Sequence, residues 1–200
     1  MKMAQTGIII LAAGNSSRLG QAKQLVEYQG ENLLQHSINV SSSLGEIPSV
    51  IVLGANHEKI VDKIELKGFS IVINPDWKKG MSISMQVGLK YLLEKNKNLT
   101  QVLLLLCDQP FVNEQLLTRL MDEKDSSKKG IACCAYANTI GVPVVFDQKY
   151  FDALFRLTSQ EGAKKVILTN KEDVAIIDFP EGAVDIDTQE DLMRLKNYTL

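Results

Sequence analysis

Two apolar patterns alternate along the chain. Residues 7–13, 50–53, 69–73 and 102–107 are short, nearly continuous apolar runs. Such runs suit strands buried on both faces of a sheet. Between them lie longer stretches with helical spacing. One covers residues 33–42, and a second starts near His57 and ends before Gly68. A third spans 82–95 with Met85, Leu89 and Leu92 on one face. A fourth begins near Asn113 and carries Leu116, Leu117, Leu120 and Met121 as its apolar stripe. This alternation predicts an α/β class: a doubly wound, mostly parallel sheet with helices on both faces. The C-terminal half is less regular. Residues 131–135 and 142–146 read as strands joined through 136–141, a small β excursion over the site. Helices follow near 148–155 and 160–169, then a strand at 174–177 and a helix over 189–197. No linker rich in Pro, Gly or Ser interrupts the chain, so residues 1–200 are expected to form a single domain.

In doubly wound sheets ligands sit at the carboxyl ends of strands, at the point where the strand order reverses. The residues that follow each strand therefore carry the chemistry. The first run leads into Leu11-Ala12-Ala13-Gly14-Asn15-Ser16-Ser17-Arg18-Leu19-Gly20-Gln21-Ala22-Lys23. Small residues let backbone approach a ligand, and successive N–H groups in such a loop can cradle phosphate oxygens. Ser16 and Ser17 add hydroxyls, Arg18 a planar fork and Lys23 a point charge. These are the parts of a triphosphate binder. The loop lacks the Gly-Lys-Ser/Thr ending of a Walker A loop. It also lacks the G-x-G-x-x-G spacing that a dinucleotide-dependent oxidoreductase would need.

Composition narrows the chemistry further. The 200 residues hold 22 Lys and Arg against 24 Asp and Glu, a net charge of −2. Bulk charge does not make this a nucleic-acid binder, so any bound anion must be held by local groups. No apolar run approaches the roughly 20 residues of a membrane span, and the N-terminal stretch is too short and too polar at its flanks for a signal peptide. Cys107, Cys133 and Cys134 form no C-x-x-C and read as core thiols of a cytoplasmic protein. His36 and His57 are the two histidines, too few for a His-rich zinc site, and His57 reads as the start of a helix. Lys78-Lys79 and Lys128-Lys129 read as solvated faces.

Three further segments stand after strands. Leu106-Cys107-Asp108-Gln109-Pro110 places a carboxylate at a strand end beside the loop, where Asp108 would suit either Mg²⁺ or a turn and helix cap. Asn74-Pro75-Asp76-Trp77 leads to Gly80-Met81-Ser82-Ile83-Ser84, in which one serine is expected to cap the helix and one to bind. Val184-Asp185-Ile186-Asp187-Thr188 precedes the last helix, with Thr188 as N-cap and Asp191 as its capping-box acid. Asp185 and Asp187 would face the same way on an extended segment.

LAAGNSSRLGQAKQL resembles the signature of the MobA-like NTP transferases, and is most similar to their molybdenum cofactor cytidylyltransferase branch. The guanylyltransferase branch reads Leu-Ala-Gly-Gly at the strand end, where this chain has Ala13, which tilts the base toward CTP. The resemblance implies a Rossmann-like nucleotidyltransferase fold and transfer of CMP from an NTP to the terminal phosphate of molybdopterin or molybdenum cofactor. It implies Mg²⁺ held by Asp108 and Asp187, with Asp185 in reserve. Arg18, Lys23 and Asp108 take catalytic roles. The nucleotide is implied to contact Leu11, Ala12, Ala13, Gly14, Ser16, Ser17, Arg18, Gly20, Lys23, Asn74, Gly80, Ser82 and Ser84, with Ser84 the better match to the family's binding serine. Gly141-Val142-Pro143 resembles the segment facing the acceptor, so Gly141 and Pro143 are its expected contacts, although a turn into a strand explains them equally well. A phosphate monoester is already deprotonated near neutral pH, so this reaction needs no strong general base. Guanylyl transfer, a sugar phosphate or isoprenoid-precursor phosphate acceptor, and a non-catalytic cofactor chaperone serving a hydroxylase-type molybdoenzyme are the alternatives.

Overall fold

The computed structural model describes residues 5–196. In chain order its elements are β1 (Thr6–Ala12), β2 (Glu27–Tyr28), β3 (Glu31–Asn32), α1 (Leu33–Ser42), β4 (Ser49–Leu53), α2 (His57–Val61), β5 (Ser70–Ile73), α3 (Met81–Lys95), β6 (Gln101–Leu106), α4 (Glu114–Ser126), β7 (Ile131–Tyr136), β8 (Thr139–Asp147), α5 (Phe151–Phe155), α6 (Ala163–Thr169), β9 (Val174–Asp178) and α7 (Gln189–Lys196). The expected end of the last helix at Asn197 lies outside the described residues.

Seven strands form one sheet in the order β5-β4-β1-β6-β8-β7-β9. Only β8 runs antiparallel to its neighbours. The chain leaves β1 toward β4 and β5, then returns to lay β6 on the other side of β1. That reversal puts the ends of β1 and β6 side by side at the switch point. The sequence of β1 explains its central place. Ile8 and Ile10 pack on one face with α1, α2, α4 and α7, while Ile9 and Leu11 pack on the other with α3, α5 and α6. A strand with both faces covered has no solvent side, so its apolar run is unbroken. Helix α3 lies close to this sheet because Gly88 has no side chain. A Cβ there would meet Ile9 and Val52 methyls at 2.9 Å.

Most elements match the sequence pattern within a residue or two, with three departures. Residues 131–147 are not an excursion: β7 and β8 are integral strands of the main sheet. Ala137 and Asn138 make the turn between them with positive φ of 47° and 59°. Pro143 is accommodated in β8 by a bulge, where the register jumps from Cys133–Val144 to Cys134–Gly141 and no ladder N–H is required of it. Helix α2 stops at Val61 rather than continuing toward Gly68, and Gln35 of α1 takes up both Glu65 N–H and Glu65 C=O in the irregular stretch that follows. The β2–β3 hairpin has no counterpart in the apolar pattern. It turns on Gln29 and Gly30, with φ of 52° and 88°, and is too short to leave an apolar signature.

Candidate active site

Strand β1 ends at Ala12, and the loop after it is closed by its own side chains. Ser16 adopts φ 53° and its carbonyl accepts from Leu19 N–H at 3.0 Å. The Ser16 hydroxyl accepts from Lys23 N–H at 3.0 Å. Leu19 is fully buried and anchors the middle of the loop, while Ser17, Arg18 and Gly20 stay exposed. Gln24, which had no role in the sequence pattern, is also fully buried. Its amide donates to the carbonyls of Ala12 at 2.7 Å and Gly14 at 2.9 Å.

The end of β6 delivers Asp108 beside this loop. The Lys23 ammonium donates to Asp108 Oδ2 and, at 3.0 Å, to Asp187 Oδ1. Arg18 reaches the other oxygen of Asp187 at 2.5 Å. Residues 79 positions apart in sequence thus meet on one lysine. The main chain arranges this: Ile186 N–H donates to the carbonyl of Asp108 at 3.2 Å, and Gln189 donates to the carbonyl of Leu19. Ile186 is buried between exposed Asp185 and half-buried Asp187, the alternation expected of an extended segment. Thr188 and Asp191 form the capping pair, with Thr188 N–H on Asp191 Oδ2 at 2.8 Å.

The charges tune one another. Burial works against the Lys23 ammonium, but Asp108 beside it wins, and its pKa rises above the ordinary lysine value. Burial likewise opposes the Asp187 carboxylate, yet contact with Lys23 and then Arg18 holds its pKa below the usual aspartate value. Partial desolvation of its carboxyl beside the cluster, and then the negative charges of Asp108 and Asp187, raise the pKa of Asp185. Burial, and then Asp108, push the Cys107 thiol up to about 12, so that cysteine is a packed apolar group rather than a nucleophile. Cys133 and Cys134 are also free and buried.

A cavity of about 210 Å³ opens against this cluster, lined by Leu11, Ala12, Ala13, Gly14, Lys23, Trp77, Gly80, Met81, Ser84, Leu106 and Asp108. Its far wall begins at the turn after β5. Gly80 has φ 126° and lies against the Ser159 carbonyl, where a Cβ would come within 2.3 Å. Asn74 is buried and does not reach the cavity; it donates to the Ser84 hydroxyl at 2.9 Å and orients it. Neither Ser82 nor Ser84 caps α3, whose N-cap is Gly80 with no side-chain hydrogen bond. Ser82 instead donates to the Thr158 carbonyl at 2.8 Å. It lines a second cavity, of about 210 Å³, that shares Leu11 and Met81 with the first. This neighbour is walled by Met85, Leu104, Val144 and Ile167, with Gly141 and Val142 at one side and Lys164 as its one charged side chain. Pro143 is buried in β8 and is not part of that wall. His57 begins α2 and binds the Gly54 carbonyl, away from the charged cluster.

The residues present suit a divalent ion that arrives with a polyphosphate. Asp108 Oδ1 is buried with no hydrogen-bond partner, and both carboxylates already point at a shared cation. Among the described residues no three His, Cys, Asp or Glu side chains gather to hold a metal unaided. Magnesium commonly uses one or two carboxylates and completes its shell with water and substrate phosphates. Two lysine and arginine charges against three aspartates also leave a polyanion uncompensated unless a cation accompanies it.

Residues 8–174 match the MobA-like NTP transferase domain family. The chain is 30% identical to the nicotine blue oxidoreductase of Paenarthrobacter nicotinovorans over 198 residues, covering 94% of each. It superposes on the crystal structure of Rv0371c from Mycobacterium tuberculosis H37Rv with a TM-score of 0.85 and 29% identity, covering 99% of this chain and 100% of that one. A manganese complex of Rv0371c matches with a TM-score of 0.79 at 26% identity, over 98% and 100% of the two chains. Molybdopterin-guanine dinucleotide biosynthesis protein A from Archaeoglobus fulgidus shares the fold, with a TM-score of 0.69 at 18% identity over 96% and 97% of the chains. Among the described residues no helix is long and apolar enough to cross a membrane.

Proposed function

Since the chain belongs to the MobA-like NTP transferase family, we propose that it is a nucleotidyltransferase that moves CMP from CTP to the terminal phosphate of a molybdopterin-type acceptor. The observation that supports this most is the Lys23 ammonium set between Asp108 and Asp187 at the mouth of the glycine-bounded loop. The triphosphate lies along Ala12 to Lys23, and the base rests toward Gly80 and Ser84. The acceptor body occupies the apolar cavity beyond Leu11 and Met81, next to Gly141.

An oxygen of the acceptor phosphate forms a new bond to the α-phosphorus as the bond from that phosphorus to the β-bridging oxygen breaks, and pyrophosphate leaves. No proton need be removed from the attacking group, so catalysis rests on positioning and on charge neutralisation. Lys23 turns from the carboxylates to the phosphates, and Arg18 swings from Asp187 to the leaving group. Asp108 and Asp187 are then free to hold Mg²⁺, which when bound supplies Lewis-acid polarisation of the phosphate oxygens. The manganese in Rv0371c supports divalent-metal use here. The free, buried cysteines support a reducing cytoplasm as the setting, where a hydroxylase-type molybdoenzyme would take the product. Incubating the protein with each NTP, Mg²⁺ and molybdopterin and measuring pyrophosphate tests the reading. Release with CTP above the other nucleotides is expected, and no release with any of them overturns it.

A second reading comes from the 30% identical relative named as an oxidoreductase. Its test is whether the protein oxidises a reduced nicotinamide dinucleotide in the presence of an electron acceptor. The absence of G-x-G-x-x-G from this chain leads us to expect none.

A further inference from the structure

The dipeptide Lys23-Gln24 faces two ways. Lys23 points out to the carboxylates, and Gln24 points in beneath the loop with no solvent exposure. Its side-chain NH₂ holds two carbonyls, those of Ala12 and Gly14, on either side of Ala13. The reverse orientation of the amide would set Oε1 against the same two oxygens, so the pairing fixes which end faces the loop. Each carbonyl belongs to a trans peptide whose N–H points the opposite way. Pulling the Ala12 carbonyl inward turns the Ala13 N–H outward, and pulling the Gly14 carbonyl inward does the same to the Asn15 N–H. The intervening Ala13 carbonyl accepts from Ala55 N–H at 3.0 Å, which fixes the Gly14 peptide as well. Among the described residues the N–H groups of Ala13, Gly14 and Asn15 donate to no protein acceptor. Ala12, Ala13 and Gly14 line the charged cavity.

We propose that Gln24 is a positioning residue: its buried amide aims successive loop N–H groups at the polyphosphate while touching no substrate itself. The proposal rests on the nucleotide-site reading above and adds the device that sets the loop. It accounts for a buried glutamine beside the loop lysine, where an apolar residue would fill the space but leave two inward carbonyls unpaired and free to rotate.

Gln24→Met keeps the length and burial and removes both donors, with Gln24→Leu as a second variant should the first not fold. Inorganic tripolyphosphate with Mg²⁺ is the probe, titrated by calorimetry with folding checked by circular dichroism. Backbone amide shifts of Ala13 and Asn15 are followed by NMR. In the wild type, tripolyphosphate is expected to bind and to move both amides. In a folded variant, affinity should fall about tenfold and the two amide shifts should be lost. A merely structural role would lower the melting temperature and leave both readouts alone. Unchanged affinity in a folded variant, or wild-type binding that leaves both amides unmoved, overturns the proposal for Gln24 alone. Failure of the wild type to bind tripolyphosphate overturns the nucleotide-site reading and the proposal with it.

Discussion

The two cavities that meet at Leu11 and Met81 are built by opposite rules. The first gathers Lys23 and Asp108, with Arg18 and Asp187 at its mouth. The second is walled by Met85, Leu104, Val144 and Ile167 and carries one exposed cation, Lys164, which is occupied with the Thr139 hydroxyl. A charged cavity binds through groups that must be positioned and neutralised. An apolar one binds by burying surface, with a few polar groups fixing orientation. The same sheet end thus carries a charged cavity and an apolar one side by side.

Changes in the charged cavity should have the largest effect. Lys23→Ala and Asp108→Asn are each expected to cut turnover by roughly 10² to 10³ or more while the protein stays folded, as steady-state pyrophosphate release and circular dichroism would report. Next in size is a change confined to the apolar cavity. Ala163→Trp fills it from the start of α6, and should lower kcat/KM for the acceptor roughly tenfold or more with CTP binding retained. Loss of CTP affinity in that variant would merge the two cavities into one site.

The legibility of the two differs for the same reason. The charged cavity comes from residues directly after β1 and β6, where strand ends and small-residue turns mark positions in sequence. Asp187 was legible through the element before α7, and the hydrogen bond from Ile186 to Asp108 shows how it arrives. The apolar cavity comes from the turn of β7–β8, from α3 and from α6, whose apolar residues look like any core residues until they are folded. That is why the pattern does not separate Ser82, which lines the apolar cavity, from Ser84, which lines the charged one, and gives Lys164 no mark. Gln24 carried no signal, because a glutamine beside a lysine reads as surface. The sheet was legible from its unbroken apolar runs. Only tertiary pairing reveals that β7 and β8 join it, since a hairpin looks alike in sequence whether it docks on a sheet edge or stands apart.

Effects on pH dependence should be smaller. The folded-state pKa of Asp187 is depressed, so its contribution to stability is present above the ordinary aspartate range and is lost as pH falls below it. That of Lys23 is raised, so its contribution is full below the ordinary lysine range and fades only at strongly alkaline pH. Thermal melts should therefore show a neutral plateau with an acid shoulder, and Asp187→Asn should remove part of that shoulder. An acid limb identical in wild type and variant would detach Asp187 from the cluster.

The smallest effect is expected at Asp185, whose pKa is raised by partial desolvation of its carboxyl and by its acidic neighbours. It opposes folding more as pH rises through the aspartate range, so Asp185→Asn should slightly raise the melting temperature at neutral pH. It should leave the Mg²⁺ dependence of turnover in place. An increased Mg²⁺ requirement in Asp185→Asn, with none in Asp187→Asn, would exchange the roles of the two aspartates.

Equilibrium titration of CTP with and without Mg²⁺, into the wild type and Asp187→Asn, tests most directly whether the lysine-bridged aspartates form a nucleotide and metal site. Affinity in the wild type should rise roughly tenfold or more with Mg²⁺, and the substitution should erase most of that gain. Equal affinities with and without the ion, in both proteins, would contradict the account.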